Sequence, residues 1–262
     1  MHNLNDGITV VIPTYNSEKF INRTLKSLED QIEIPDEIIF SDDGSSDGTI
    51  EIIELWEKKN PRFKCKIFKN AHKGPGKARN IGIKNSKNNW IAFLDSDDTW
   101  NKDKIYEIKK VISSNFKVNF IVHFELFENQ KGFRKEISQK LKIFENSKKN
   151  LKEFLYNHNI FSTSAVVCNK YLLEQKGLFD VNLPNGQDYD LWLKLAPEIN
   201  LFIIKKNLGV YYDTLNNITS RYYLKRIKSE LIICFRYKKY VHLTNFFLKL
   251  IKILISKNWF RL

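Results

Sequence analysis

Three carboxylates fall within four positions at the end of an apolar run, Ile91-Ala92-Phe93-Leu94-Asp95-Ser96-Asp97-Asp98. Like charges this close repel and raise one another's pKa. A divalent cation removes that penalty, and carboxylate oxygens suit Mg²⁺ or Mn²⁺. The same pattern also describes a strand, an Asp-rich turn and a helix cap. These eight residues leave both readings open. A second acidic pair, Asp188 and Asp190, follows Pro184-Asn185-Gly186. A carboxylate there can accept a proton from a substrate hydroxyl or cap a helix. On a helix, residues two apart point roughly 200° from each other, so Asp188 and Asp190 cannot both face one acceptor.

The elements that must position these groups are legible in the first half. Ile8-Thr9-Val10-Val11-Ile12 is a β-branched run closed by Pro13. The pattern predicts a helix over residues 17–30 with Ser17 as its cap, a strand over 37–41, a helix over 49–59 and a strand over 65–68. Gly74-Pro75-Gly76 then breaks the chain before a helix over 77–85, and the opening run is a fourth strand. Strand and helix alternating with short links predicts an α/β fold, a parallel sheet covered by helices. Ligands bind such sheets beyond the carboxyl ends of the strands. Three of those ends are polar: Pro13-Thr14-Tyr15-Asn16, Asp42-Asp43-Gly44 and Asp95-Ser96-Asp97. Right-handed crossovers bring them to one rim. Beyond that rim the pattern predicts a helix over 101–113 and strands over 117–127, 163–168, 201–204 and 208–212. A helix is expected over 188–195, and residues 130–150 are expected to be a mobile loop.

The chain has 262 residues and a net charge of +13, unevenly spread. Residues 221–262 hold eleven Lys/Arg and one acid, Glu230, so this tail carries +10. The three cysteines, Cys65, Cys168 and Cys234, show no metal-binding spacing and suit reduced thiols in a cytosolic chain. No signal sequence and no apolar run of about 18 residues is present, so no transmembrane helix is expected.

Five motifs stand in order: Val11-Ile12-Pro13-Thr14-Tyr15-Asn16, Asp42-Asp43-Gly44-Ser45-Ser46-Asp47-Gly48-Thr49, Ala78-Arg79-Asn80 with Gly82, Phe93-Leu94-Asp95-Ser96-Asp97-Asp98, and Asp188-Tyr189-Asp190-Leu191-Trp192. Together they resemble the family 2 inverting glycosyltransferases of the GT-A fold, over roughly residues 7–215. The resemblance implies a mostly parallel GT-A sheet flanked by helices. It implies transfer of a sugar from a nucleotide donor, most often a UDP-sugar, with inversion at the anomeric carbon. Negative charge grows on the departing diphosphate, and Mn²⁺ or Mg²⁺ at the acidic motif would neutralise it. By resemblance Asp97 is the direct metal ligand, and Asp95 approaches the metal's water shell or the ribose, with Ser96 between them. Pro13, Thr14 and Tyr15 lie where the family holds the nucleoside, with Tyr15 against uracil. Asp43 resembles the acceptor for the uracil N–H, and Asp42 reads as a turn residue. Arg79 either approaches the diphosphate or ties down the acidic motif. Asp188 resembles the base that takes the acceptor's proton, Asp98 reads as a helix cap, and Trp192 as core.

Two positions depart from the family. Gln187 stands where Glu often precedes the base. Tyr211-Tyr212-Asp213-Thr214 replaces a frequent Arg and His, which puts a further metal or phosphate contact there in doubt. His72, His123 and His158 read as isolated structural or surface residues.

The expected organisation is a GT-A domain over residues 1–220 and a basic tail over 221–262. Apolar positions 243, 246, 247, 250, 251 and 254 fit one helical stripe among lysines. Such a helix attaches to a membrane surface or packs on its own domain. The resulting expectation is a cytoplasmic enzyme held peripherally on the inner face of the cytoplasmic membrane. It would act on a lipid-linked or oligosaccharide acceptor in lipopolysaccharide, lipooligosaccharide or capsule synthesis. A catalytically idle sugar-nucleotide-binding module would lack donor hydrolysis. A nucleic-acid-binding protein, suggested by pI ≈ 9.4, would place its charge on an aromatic-studded sheet rather than a greasy tail.

Overall fold

Short β-branched runs and amphipathic helices alternate through the first half, as their spacing requires. The computed structural model describes residues 6–147, 149–213 and 223–255. In chain order it forms β1 (Ile8–Thr14), α1 (Ile21–Glu29), β2 (Glu37–Asp42), α2 (Thr49–Lys59), β3 (Cys65–Lys69), α3 (Pro75–Asn85) and β4 (Trp90–Phe93). Then follow β5 (Thr99–Trp100), α4 (Lys104–Ser114), β6 (Phe120–Glu128), β7 (Arg134–Glu136), α5 (Gln139–Asn146) and α6 (Leu151–Asn157). The remainder is β8 (Val166–Asn169), α7 (Lys170–Gln175), α8 (Gln187–Leu195), β9 (Leu201–Tyr212), α9 (Tyr223–Arg236) and α10 (Leu243–Ile255).

The strands form one sheet in the order β3-β2-β1-β4-β8-β6-β9-β5, with β7 on β6. From β3 to β4 every pairing is parallel. β8 then runs antiparallel to both β4 and β6, while β6 and β9 are parallel. Side chains alternate across the sheet with period two. Ile8, Val10 and Ile12 face a core shared with α1, α2 and α4. Val11, Ile91 and Phe93 face a second core with α3, α6, α8, α9 and α10. Trp192 is central to that second core, ringed by Phe93, Phe120, Phe161 and Phe179.

Several expectations need correction. Residues 130–150 are not one loop, because they hold β7 and α5, whose Leu141 reaches the core. The strand expected over 163–168 opens as a 3₁₀ turn, Thr163–Ala165. The two strands expected over 201–212 are one, with register shifts opposite His123–Glu125 that interrupt its hydrophobic pattern. Ser17 does not cap α1. Its carbonyl closes the preceding turn by accepting from Phe20 and Ile21.

The tail packs on the domain through one face. Ile233, Phe246 and Ile253 join the second core, whereas Leu243, Phe247, Leu248, Ile251 and Leu254 are exposed. Among the described residues no helix is long and apolar enough to cross a membrane.

Candidate active site

The ends of β1, β2 and β4 meet at one rim and are tied together by side chains. Thr14 Oγ1 donates to Asp42 Oδ1 at 2.8 Å, and Asn16 Oδ1 accepts from the Ser46 amide at 2.9 Å. Asp42 also accepts from the amides of Gly44 and Ser45, which makes it the turn residue expected. The hydroxyls of Ser17 and Ser96 lie 2.7 Å apart, and Thr24 Oγ1 donates to the Ser96 carbonyl. Pro13 and Thr14 are buried in β1, whereas Tyr15 is exposed.

Asp43 organises the loop before α3. Its carboxylate accepts from the amides of Lys73 and Gly74, each at 2.8 Å, and lies 2.8 Å from His72 Nδ1. The His72 ring stacks on Tyr15 at 4.3 Å. His72 is therefore a rim residue rather than an isolated surface histidine. Nothing in the local sequence around His72 signals this, because its partners lie on other strand ends.

At the acidic motif, Arg79 Nη2 meets Asp95 Oδ1 at 2.5 Å while its guanidinium lies over Phe179. Of the two roles open to Arg79, the structure displays the one that ties down the motif. Arg23, on α1, donates to the Asp97 carbonyl and stacks over Tyr212 at 3.8 Å. Asp95, Ser96 and Asp97 are all partly exposed at the rim.

Asp98 is not a helix cap. α4 starts five residues after it, with Asp103 at the N-cap. Asp98 is buried, accepting from Ser164 Oγ at 2.6 Å and from the Tyr212 amide at 3.1 Å. Ser164 Oγ also accepts from the Asp95 amide, so one hydroxyl bridges the two ends of the motif. Burial, then the charges of Asp97, Asp95 and Glu125, push the Asp98 carboxyl well above its ordinary range. Lys104, fully buried beneath it, donates to the Ser164 carbonyl and lies over the Trp100 ring. Burial likewise raises Glu125 to about 7 and lowers His123, which is a core histidine as expected.

Asp188 is the second residue of α8, and Gly186 rather than Asp188 occupies the N-cap. Gly186 adopts φ +68, and a Cβ there would lie 3.3 Å from Ile233. That backbone favours glycine. Burial raises the Asp188 carboxyl above its ordinary range; the charge of Asp95 adds to this and that of Arg79 offsets it. The base candidate and the acidic motif thus share one electrostatic environment. Gln187 packs on α3 so closely that a Cβ on Gly76 would sit 2.3 Å from its Oε1.

Asp190 faces away. It is fully buried against Arg236, at 2.6 Å, and Tyr237, whose hydroxyl is 3.0 Å from Oδ1. Arg236 also pairs with Asp180 at 3.0 Å. Ser229 Oγ accepts from the Asn185 amide, and Lys249 donates to the Tyr189 hydroxyl at 2.7 Å and to the Tyr156 carbonyl. The tail therefore braces α8 on both sides of Asp188.

The family model described as Glycosyl transferase family 2 matches residues 9–179. The chain belongs to that family. This family 2 chain is 33% identical over 216 residues to an uncharacterised glycosyltransferase of Rickettsia conorii, covering 79% of this chain and 33% of that protein. It thus spans about a third of that relative's length. Its structure resembles that of Staphylococcus aureus TarS in complex with UDP-GlcNAc, with TM-score 0.71, 21% identity and coverage of 95% of this chain and 71% of the other. TarS is a poly(ribitol-phosphate) β-N-acetylglucosaminyltransferase. The mannosyltransferase PcManGT of Pyrobaculum calidifontis, in complex with GDP-Man and Mn²⁺, matches with TM-score 0.68 and 16% identity over 96% of this chain and 70% of the other. Both likenesses bear out the GT-A fold.

The donor set fits a divalent ion. Among the described residues no group of three or more His, Cys, Asp or Glu is arranged to hold a metal alone. Mg²⁺-type sites commonly use one or two carboxylates, with substrate phosphates and water completing the shell. Asp95 and Asp97, partly exposed at the rim, supply that number.

Proposed function

We propose that this chain transfers a sugar from a UDP-sugar to a glycan acceptor with inversion, using Mn²⁺ or Mg²⁺ held by Asp97 and Asp95. The observation that carries this reading is the shared environment of Asp188, Arg79 and Asp95 beyond the ends of the parallel strands. The metal supplies charge neutralisation for the departing diphosphate. The protein's own groups do the rest. Asp43 orders the loop that faces the base, with the Tyr15–His72 stack beside it. Arg79 fixes Asp95, and Arg23 and Ser164 fix the backbone of the motif. Asp188 takes the proton of the attacking hydroxyl, on the face opposite the leaving group.

TarS acts on a poly(ribitol-phosphate) surface polymer and binds UDP-GlcNAc, which supports a UDP-sugar donor and a cell-surface acceptor here. PcManGT supports the metal. The acceptor in this reading is lipid-linked, and the exposed apolar side of α10 attaches the enzyme to the inner face of the cytoplasmic membrane.

A panel of UDP- and GDP-sugars, scored by thermal shift and donor hydrolysis with Mn²⁺ and with EDTA, tests the reading. A UDP-sugar should stabilise the protein only with metal, and Asp97→Asn should abolish both the shift and the hydrolysis. Full activity of Asp97→Asn, or no shift with any nucleotide sugar, would overturn it.

A further inference from the structure

Between α6 and α10, on the far side of the bracing from Asp188, lies a cleft of about 180 Å³. Lys149, Glu153, Asn157, His158, Asn245 and Lys252 line it. Two ammonium groups thus face one carboxylate. The positive field is wider than the lining: burial, then the charges of Lys140, Lys252, Lys149 and Lys249, hold the His158 ring below its ordinary range. Four lysines around one half-buried imidazole make a local excess of positive charge that the domain itself does not neutralise.

The cleft sits on the flank of an apolar face. Along α10, Phe246, Lys249 and Ile253 are buried against the domain, while Phe247, Leu248, Ile251 and Leu254 are each more than half exposed, at 54%, 54%, 51% and 65%. At ~100° per residue, Asn245 and Lys252 share one line along the helix, between those two faces. A bilayer surface lying against the outer face would meet the cleft at the depth of its headgroups. Lysines flanking such a face extend to the phosphates while their stems stay in apolar contact.

We propose that this cleft binds the phosphate of an anionic phospholipid headgroup and so fixes how the enzyme sits on the membrane. The proposal rests on the membrane attachment proposed above and gives it a defined contact. A phosphodiester offers oxygens for charge-assisted hydrogen bonds from Lys149 and Lys252. Its acyl chains would run along Phe247, Ile251 and Leu254.

The test is co-sedimentation of the full chain with phosphatidylcholine vesicles and with vesicles of about three parts phosphatidylcholine to one part phosphatidylglycerol. The protein should bind the anionic vesicles only. Lys149→Gln/Lys252→Gln should weaken binding by about 10- to 30-fold, the scale expected for two lysines at a charged surface. Lys228→Gln/Lys238→Gln removes the same charge from exposed positions elsewhere in the tail and should weaken it less than about threefold. Equal losses in the two variants would overturn the cleft and leave only diffuse attraction. Release by excess inorganic phosphate would also overturn it, since a free ion lacks the apolar contact. Failure of the unmodified protein to bind either vesicle would overturn the membrane attachment as well. The UDP-dependent thermal shift, retained in both variants, reports separately on the glycosyltransferase site.

Discussion

The donor rim and the base helix are built in opposite ways. At the rim, each side chain is held by residues on neighbouring strand ends or the adjoining helix: Thr14 by Asp42, Ser17 by Ser96, Arg79 by Asp95. Parallel pairing of β1 with β2 and β4 creates these contacts as soon as the sheet forms. Asp188 stands on a short helix whose bracing arrives later in the chain, from Ser229, Arg236, Tyr237 and Lys249. The difference separates donor binding from proton removal. Damage at the rim should weaken the nucleotide. Damage at the tail should spare the nucleotide and misplace the base.

The largest expected effect breaks the base itself. Asp188→Asn should lower kcat by about 10²- to 10⁴-fold, the usual worth of a general base, with UDP binding unchanged. Because burial raises the Asp188 pKa, its ionised, proton-accepting form is lost at a higher pH than for an ordinary aspartate. The unmodified enzyme should therefore lose kcat on the acid side earlier than a free Asp would predict. A pH–rate profile checks the sign, and an acid limb at or below the ordinary Asp range would contradict the burial argument.

A smaller effect tests the bracing. Arg236→Gln removes the shorter ion pair of fully buried Asp190 but leaves Lys194 at 3.7 Å and the Tyr237 hydroxyl. The expected cost is about 1.5–3 kcal/mol of stability, the worth of a hydrogen bond to a charged group. With α8 loosened, kcat should fall about tenfold, equivalent to ~1.4 kcal/mol, while the Kd for UDP stays the same. Denaturant unfolding and calorimetric UDP binding measure the two. An equal loss in UDP affinity would show that rim and tail are not separable.

The same contrast explains what the sequence made legible. β1 to β4, their helices and the convergence of three polar strand ends followed from local period and turn residues. The preference for Asp188 over Asp190 came from the resemblance, and it agrees with Asp190 being sealed against Arg236. Asp98 was misread because its environment is long-range. Its partners, Ser164 and the Tyr212 amide, lie 66 and 114 residues away, and no local pattern encodes burial of a third acid. Lys104 and Glu125 were missed for the same reason: each is a charged residue inside an otherwise ordinary helix or strand. His72 and Arg23 gained their roles from partners across the rim. Residues 130–150 looked structureless because their few apolar side chains are spread over a hairpin strand and a short helix.

The mildest change sharpens the donor side of the comparison. Thr14→Val keeps the β-branched shape that suits β1 but removes the hydroxyl that donates to Asp42. Asp42 retains the amides of Gly44 and Ser45 and the Ser45 hydroxyl, so its carboxylate stays paired. The loss should then be one net hydrogen bond, about 0.5–1.5 kcal/mol, rather than the cost of a stranded buried charge. That energy ties the end of β1 to the turn carrying Asp43. UDP affinity should fall about two- to tenfold while kcat at saturating donor holds, because Asp188 depends on the tail and not on this turn. A fall in kcat with unchanged UDP affinity would reverse the assignment, placing the β1–β2 turn in control of the base.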